Sequence, residues 1–299
     1  MLGFLVRAFK VGQRIMEHMT DKYVMEVFEL SRKVNKEADK IRGFIRFSDN
    51  GNYLLAQFEP KCDMIPVVMW HFVDRYPGEN FVFDDDRIAV LPEGMSLDYG
   101  AMIEPVAVAA HATMRGGDLK GKNVVVSGAG TIGNLVAQFA KARGAKRVLI
   151  TDVSDFRLEI ARKCGIIDTL NVAKTPLKEG AKRLFGDEDF QAAFEVAGVE
   201  SSIRSLMECI EKGSNIVVVA VFGKDPSLNM FYLGEHELKV NGTMMYRHED
   251  YLTAIDQVSS GAIRLEPLIS NHFPFEQYDE AYKFIDEHSA TSMKIIIKL

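Results

Sequence analysis

The sequence predicts an α/β protein built around a doubly wound parallel sheet with helices on both faces. Between about residues 123 and 242, short apolar runs alternate with segments of helical periodicity. A glycine-rich turn follows the first apolar run, and the second run ends in Asp152. Alternation of this kind indicates a parallel sheet, because each crossover between parallel strands needs a connecting helix.

The elements follow in chain order from their periodicity and their boundaries. The first helix has apolar residues at positions 132, 135, 136, 139 and 140, which share one helical face. Gly165 ends the second helix, and Pro176 begins the third. The predicted strands are 123–127, 147–151, IIDTLNV, AAFEVAG, NIVVVAVFG and ELKVNGTMM, and the predicted helices are 131–143, 156–164, PLKEGAKRLFG and ESSIRSLMECIEKG.

Both ends of the chain predict further elements. HEDYLTAIDQVSSG and FEQYDEAYKFIDEH have helical periodicity, and SMKIIIKL is typical of a terminal strand. Near the start, Tyr23–Val34 predicts a helix, and FIRFSDNGNYLLAQF predicts a hairpin that turns at Asn50 and Gly51. ENFVFDDDRIAVLPEGMS predicts a strand, an acidic turn and a second strand. We expect the last strand to return to a domain beside the parallel sheet.

Composition excludes several classes of protein. The 299 residues are 47% hydrophobic and 26% charged, which is ordinary for a globular chain, and the length predicts two domains. A net charge of −6 gives no electrostatic support for a nucleic-acid partner. We expect no membrane association and no signal peptide, since no apolar run is long enough and no cleavage site is seen. The three widely spaced cysteines argue against a disulfide framework or a zinc cluster and favour the cytoplasm.

The glycine-rich turn has the spacing G-x-G-x-x-G at Gly128, Gly130 and Gly133. It lies between a strand and a helix, and Asp152 closes the next strand nineteen residues beyond Gly133. In that context the motif predicts a dinucleotide site. Gly128 allows the tight turn, Gly130 lets the phosphates approach, and Gly133 lets helix and strand pack closely.

The start of the helix and Asp152 specify the ligand further. The amides at Thr131 and Ile132 lie at the positive end of the helix, which favours a bound pyrophosphate. Asp152 would accept hydrogen bonds from the ribose hydroxyls and would repel a 2′-phosphate, so we expect NAD(H) rather than NADP(H). The alternative is a glycine-rich turn followed by a surface aspartate.

Several segments together resemble the medium-chain dehydrogenases. MIEPVAVAAHATMRGGDLKGKNVVVSGAGTIGNLVAQFAKARGA is similar to their hinge and first βαβ unit, most of all in the zinc-dependent polyol branch of sorbitol (L-iditol) and butanediol dehydrogenases. DDDRIAVLPEGMS, FEVAGVESSI and LEPLISNHFPFEQYDEAYKFID occur in the family's order, so the resemblance covers roughly residues 83–299. It implies a Rossmann domain at 105–245, a partial, divergent GroES-like catalytic domain at 1–104, and C-terminal elements at 246–299 that complete both.

The resemblance also implies where the cofactor lies. Val196, Ala197 and Gly198 would follow the adenosine side of NAD(H), and residues 219–223, including Val219 and Val221, would pass the nicotinamide. From the residues alone, both segments are strand ends at the carboxyl edge of the sheet, where such folds bind ligands. Core packing is the alternative for each of these residues.

The family uses a zinc ion that polarises the substrate hydroxyl and lowers its pKa. Its ligand motifs, a cysteine in C-G-x-D and a later G-H-E, do not occur in this sequence, and neither does its four-cysteine lobe. FKVGQRI at 9–15 resembles a turn that follows the metal ligands in the family, so we expect the likeness to begin part-way into the catalytic domain. Residues 16–80 resemble nothing in the family. A divergent replacement, a shifted reading frame and a misplaced start all remain open.

Glu104 is the one metal-site residue that the resemblance retains. In MIEPVAVAAH it occupies the position where polyol dehydrogenases place a carboxylate beside the zinc. Before Pro105 in an apolar stretch, it is either a buried carboxylate with a partner or metal, or a helix-start glutamate stabilised by the helix dipole. His111, seven residues further on the same face, is interpreted as a packing or relay residue, with packing favoured.

Other polar residues do not rebuild a metal site by their spacing. Cys62 and His71 lie nine residues apart, which matches no zinc motif, so we interpret them as a buried thiol and an ordinary histidine. The acidic run at 84–86 is expected to be a solvated turn. Solvated or capping roles are expected for His236, His248, His272 and His288.

The segment TMMYRHEDY resembles the part of polyol dehydrogenases that lies near the substrate cleft. Met245 stands where sorbitol enzymes tend to have an arginine, which favours smaller diols as substrates. On local chemistry alone, Met244 and Met245 are most simply core residues.

Two functions remain open. The first is an NAD-dependent dehydrogenase that oxidises the secondary alcohol of a polyol or diol. The second is a degenerate family member that binds NAD(H) without zinc or turnover. Because a hydroxyl without a metal stays near its aqueous pKa, we expect little or no turnover from this chain.

The family's pairing of nucleotide domains through an edge strand predicts a homodimer or homotetramer. VVVAVFG followed by PSLNMFYL is interpreted as the apolar edge, because an unpaired strand edge is a liability in solution.

Overall fold

The computed structural model describes residues 21–44, 48–49, 54–57, 68–69, 71–72, 75, 81–84 and 91–298. The chain divides into two compact units, Met1–Ala89 and Val90–Leu299. Predictions that concern residues 9–15, the turn at 50–51, Cys62 and the acidic residues at 85–86 lie outside the described residues.

The first unit contains helix α1 (Lys22–Phe44) and strands β1 (Ser48–Asp49), β2 (Leu54–Gln57) and β3 (Phe81–Asp84). The helix continues ten residues beyond the predicted end, because its buried face continues: Val24 and Ala38 are both fully buried. β1 pairs antiparallel with β2, which confirms the hairpin, and β3 pairs parallel with β2.

The second unit is built on a six-stranded sheet in which every neighbouring pair is parallel. Its spatial order is β6-β5-β4-β7-β8-β9. β4 lies inside the sheet and all five of its residues are buried, so the doubly wound fold is confirmed. The strands are β4 (Asn123–Ser127), β5 (Arg147–Asp152), β6 (Thr169–Asn171), β7 (Ala192–Glu195), β8 (Asn215–Val218) and β9 (Lys239–Gly242).

Helices cover both faces of this sheet. Val125 and its neighbours in β5, β7 and β8 form one core with two of the helices, α5 and α6. Val126 points to the opposite face, toward Gly133 in α3, because side chains alternate along a strand. The helices are α2 (Leu97–Arg115), α3 (Thr131–Ala142), α4 (Asp155–Lys163), α5 (Leu177–Phe185), α6 (Glu200–Cys209), α7 (Met230–Glu235) and α8 (His248–Ser259).

The C-terminal segment adds a small two-stranded parallel sheet. β10 (Ile269–Pro274) pairs with β11 (Lys294–Lys298), and α9 (Tyr278–His288) connects them. The terminal strand predicted from SMKIIIKL therefore finds its partner in the same C-terminal segment. None of the helices in the described part of the chain is long and apolar enough to cross a membrane.

The outer edge of the six-stranded sheet differs from the predicted one. VVVAVFG contributes β8, which has β7 on one side and β9 on the other, so it is not an edge. PSLNMFYL contributes the short helix α7, because the Asn229 side chain accepts a hydrogen bond from the Phe231 amide and caps the helix. The strand at this edge is β9, and β6 forms the opposite edge.

The predicted division of the chain at residues 104 and 105 falls inside α2. That helix runs without interruption from Leu97 to Arg115, and the side chain of Ser96 caps it by accepting from the Tyr99 amide. The domain ranges 1–104, 105–245 and 246–299 stay a prediction.

Candidate functional site

The glycine turn after β4 is closed so tightly that two of its positions exclude a side chain. Gly128 has a φ of +108°, and a Cβ there would lie 2.9 Å from the backbone of Val196 and Ala197. A Cβ on Gly133 would lie 1.8 Å from the carbonyl oxygen of Gly128. Close packing of strand end, turn and helix therefore requires glycine at both positions.

Gly130 is different, because its surroundings are open. A Cβ there would meet nothing within 4 Å, and its φ of −66° suits any residue. Gly130 is the N-cap of α3 and has no side chain to cap the helix. The first amide bonded within the helix is that of Asn134, to the Gly130 carbonyl, which leaves the amides of residues 131–133 for an anion.

A cavity of about 550 Å³, here called the Asp152 cavity, opens on one side of this turn. The ends of β4 and β5 and the segment after β7 form its floor, and α4 and α6 contribute to its walls. Its lining includes Gly128, Gly130, Asp152, Arg157, Val196 and Ala197.

Asp152 holds the glycine turn against the end of β5. Its Oδ2 accepts the Ala129 amide at 2.7 Å, and its Oδ1 accepts the Ser154 amide at 2.9 Å. The residue is only 8% exposed, so the alternative of a surface aspartate is wrong. Each carboxylate oxygen keeps a further lone pair for a ligand.

Arg157 is a cavity residue that the sequence reasoning missed. It lies in the first turn of α4, and its Nη1 is 4.0 Å from Asp152 Oδ2. Its position five residues after Asp152, at the start of the helix that follows β5, was the available signal.

A second cavity of about 430 Å³, the Val221 cavity, opens on the other side of the turn. Val196, Ala197 and Gly130 line both cavities, so the two meet at the glycine turn. Val221 is 84% exposed, which rules out core packing for it. The remaining lining residues include Val108, Thr131, Ile132, Gly133 and Val219.

Gly198 supports the wall that the two cavities share. Its φ is +69°, and a Cβ there would lie 2.9 Å from the Val221 carbonyl oxygen. The backbone of Gly198 therefore holds the end of β7 against the segment that follows β8.

Glu104 lies in the middle of α2, on the helix face that leads to the Val221 cavity. It is the eighth residue of the helix and is exposed, so the buried-carboxylate and helix-start interpretations are both wrong. The helix begins earlier than predicted because Ser96 caps it. Val108, one turn further along, lines the Val221 cavity.

Two tyrosines near Glu104 were not foreseen from the sequence. The rings of Tyr246 and Tyr251 meet edge to face, with centroids 4.8 Å apart. Burial, the hydrogen bond to Tyr246 and the charge of Glu104 all raise the pKa of Tyr251, so its phenol stays protonated. Met244 and Met245 are exposed, at 73% and 58%, so the core interpretation of both is wrong.

His111 joins α2 to α8. Its Nδ1 lies 2.9 Å from Oδ2 of Asp250, which is 2% exposed and also accepts the Arg247 amide. This contact ties the two helices together, and the packing role of His111 stays a prediction. Of the other histidines, His272 pairs with Asp98 at 2.9 Å, and His288 Nδ1 lies 3.2 Å from the Phe284 carbonyl oxygen.

The described residues do not fit a zinc ion. No three His, Cys, Asp or Glu side chains converge anywhere in the described ranges, so Glu104 belongs to no such group. Cys164 and Cys209 are free thiols that belong to no such group in the described part of the chain. His71 is exposed beside Phe72.

Comparison with known families assigns different parts of the chain to different profiles. The zinc-binding dehydrogenase profile matches residues 131–260. The profile of a domain of unknown function, DUF4130, matches residues 1–114. The three explanations for residues 16–80 stay open.

Individual relatives agree with the first of these matches. Sorbitol dehydrogenase 1 of Saccharomyces cerevisiae is 30% identical over 223 residues, covering 73% of this chain and 62% of the yeast protein. The (R,R)-butanediol dehydrogenase of Neisseria gonorrhoeae is 32% identical over 209 residues, covering 69% of this chain and 58% of that protein. An Escherichia coli alcohol dehydrogenase solved with NADH superposes with a TM-score of 0.64 at 25% identity, over 69% of this chain and 61% of that one.

The chain therefore spans less than two thirds of the length of these curated relatives. On this evidence the chain belongs, through its second unit, to the zinc-binding dehydrogenase family.

Proposed function

We propose that the second unit binds NAD(H) and that the chain is an oxidoreductase that transfers hydride between this cofactor and a secondary alcohol of a small polyol or diol. The observation that carries the proposal is the pair of cavities that meet at the glycine turn. A dinucleotide has two nucleoside ends joined by a pyrophosphate. The open space at Gly130 and the free amides of residues 131–133 suit the pyrophosphate.

The two cavities differ in polarity, which orients the cofactor. The Asp152 cavity offers a carboxylate for ribose hydroxyls and suits the adenosine end. Asp152 disfavours a 2′-phosphate, so NAD(H) is preferred over NADP(H). The Val221 cavity has valine and alanine walls and suits the nicotinamide.

The substrate would enter beside α2 and the start of α8. Glu104, Tyr246 and Tyr251 supply the polar groups there, and the phenol oxygens can accept a hydrogen bond from a substrate hydroxyl. The relatives are named for sorbitol and (R,R)-butanediol, which both carry secondary hydroxyl groups. The described residues can bind and orient the substrate, but no group of metal-ligating side chains converges among them.

Fluorescence titration with NADH tests the cofactor, and NAD reduction with butanediol and with sorbitol tests the reaction. Metal analysis of the same protein sample shows whether turnover accompanies zinc. Binding with turnover supports the proposal. Binding without turnover supports the alternative of a degenerate NAD(H)-binding member, and absence of binding rejects both.

Assembly and location complete the proposal. β9 pairs only with β8 among the described strands, and Val240 within it is 37% exposed, so this edge suits pairing with a second copy in a homodimer or homotetramer. A monomer mass by light scattering would contradict that. The free thiols of Cys164 and Cys209 favour the cytoplasm.

A further inference from the structure

Glu195 is a buried carboxylate that lines neither cavity. It is the last residue of β7, is fully buried, and precedes the wall that the two cavities share. No ion-pair partner is found for it in the described part of the chain. Burial raises its pKa, against the hydrogen bonds that it accepts.

Those hydrogen bonds fold the shared wall into place. Glu195 Oε1 accepts the amides of Ala197 and Gly198, both at 3.0 Å. It also accepts the hydroxyl of Ser202, at 2.8 Å. One carboxylate oxygen thereby holds two wall residues and the first turn of α6 together.

A line of hydroxyl groups continues from Glu195 along the floor of the Asp152 cavity. Ser202 Oγ lies 2.8 Å from Ser127 Oγ, which lies 3.3 Å from Thr151 Oγ1. All three hydroxyl residues line the cavity. Because an ionised carboxylate only accepts, Ser202 donates to Glu195, Ser127 to Ser202, and Thr151 to Ser127.

The shared wall has little freedom to move independently of the cavities. The backbone of Val196 and Ala197 packs against Gly128 so closely that a Cβ on Gly128 would lie only 2.9 Å from it. A Cβ on Gly198 would be equally close to the Val221 carbonyl oxygen. A displaced wall would therefore disturb both cavities and the turn between them.

We propose that Glu195 is a positioning residue for the dinucleotide, which sets cofactor affinity through the Ala197 and Gly198 amides and the Ser202 hydroxyl without touching the ligand. This inference rests on the proposed function. The groups packed around Glu195 from β4 and α6 are neutral hydroxyls, and the charged groups on the same cavity are Asp152 from β5 and Arg157 from α4. As pH falls through the raised pKa of Glu195, protonation removes an acceptor, so cofactor binding should weaken.

The test compares the full-length wild type with Glu195→Gln and Ser202→Ala. Glu208→Gln is the matched control, because Glu208 is an exposed glutamate on the same helix as Ser202 and lines neither cavity. Dissociation constants for NADH and ADP-ribose are measured at about pH 8, and that for ADP-ribose down to about pH 5. Asp152→Asn measured alongside identifies any contribution of that second acid to the pH profile.

Glu195→Gln should raise both dissociation constants about tenfold. It should also remove the pH dependence of ADP-ribose binding that persists in Asp152→Asn. Ser202→Ala should raise them about threefold, and the control should match the wild type. Cofactor affinities of Glu195→Gln within about twofold of wild type, or an unchanged pH profile, would overturn the inference. If Glu195→Gln does not fold, Ser202→Ala decides in the same way. A wild type that binds no NADH would reject the proposed function as well, whereas normal wild-type binding with unchanged variants rejects this inference alone.

Discussion

Replacing two glycines of the same turn by alanine should have two different effects, one on stability and one on cofactor binding. Gly133→Ala should damage the fold, and Gly130→Ala should damage only cofactor binding. The two substitutions add the same single methyl group three residues apart, so each is the control for the other.

The structure sets the size of both effects. At Gly133 the new Cβ would lie 1.8 Å from a backbone carbonyl oxygen, far inside the 3.0 Å below which real Cβ atoms essentially never lie. Backbone cannot rotate away as a side chain can, so we expect a loss of about 3 kcal/mol or more in the free energy of unfolding. For a unit of this size that is a fall in Tm of about 6 °C or more.

At Gly130 the new Cβ would meet nothing within 4 Å, and the φ of −66° is ordinary for alanine. The free energy of unfolding should change by less than about 1 kcal/mol, because alanine fits this backbone and restricts the unfolded chain. The methyl group would occupy the space in front of the helix amides. Loss of one charge-assisted hydrogen bond to the pyrophosphate then raises the Kd for NADH about tenfold or more.

Thermal unfolding of both ligand-free variants, followed by NADH titration of Gly130→Ala, measures the two effects separately. Wild-type NADH affinity in Gly130→Ala would show that the pyrophosphate does not lie on this turn. A wild-type Tm in Gly133→Ala would show that the contact between Gly133 and Gly128 is looser than the structure has it.

Three further predictions address single side chains. Asp152→Asn should lower the preference for NADH over NADPH about tenfold, because it removes the charge that repels a 2′-phosphate and leaves Arg157 beside the site. Titration with both cofactors checks this, and an unchanged ratio of the two affinities contradicts it. Asp250→Ala should lower the free energy of unfolding in urea by about 2–4 kcal/mol, since it removes the helix cap at the Arg247 amide and the partner of His111. The control Asp256→Ala changes an exposed residue of the same helix and should have little effect. Burial raises the pKa of Cys164 to about 12, so this thiol should resist alkylation by iodoacetamide at about pH 8 in the native protein and react after unfolding. Peptide mapping would show this difference, and rapid labelling of the native protein would refute the buried position.

The sequence by itself determined the alternation of elements from β4 to β9 and the position of the dinucleotide turn. Periodicity and glycine spacing are local properties, so they do not depend on the rest of the fold. Strand β4 has the predicted bounds, and Asp152 ends β5 beside the turn. The family resemblance carried by these local motifs was confirmed by the relatives.

Only the tertiary structure decided which distant residues meet and which strand is the edge. Glu104 proved to be exposed in mid-helix because Ser96, eight positions earlier, starts α2, and Asp250 meets His111 from 139 residues away. Glu195 looked like any strand residue until the fold brought Ser202 and Ser127 to it. Sequence patterns specify what each segment forms, but a partner distant in sequence is chosen by packing of the whole unit, and that choice created the walls of both cavities.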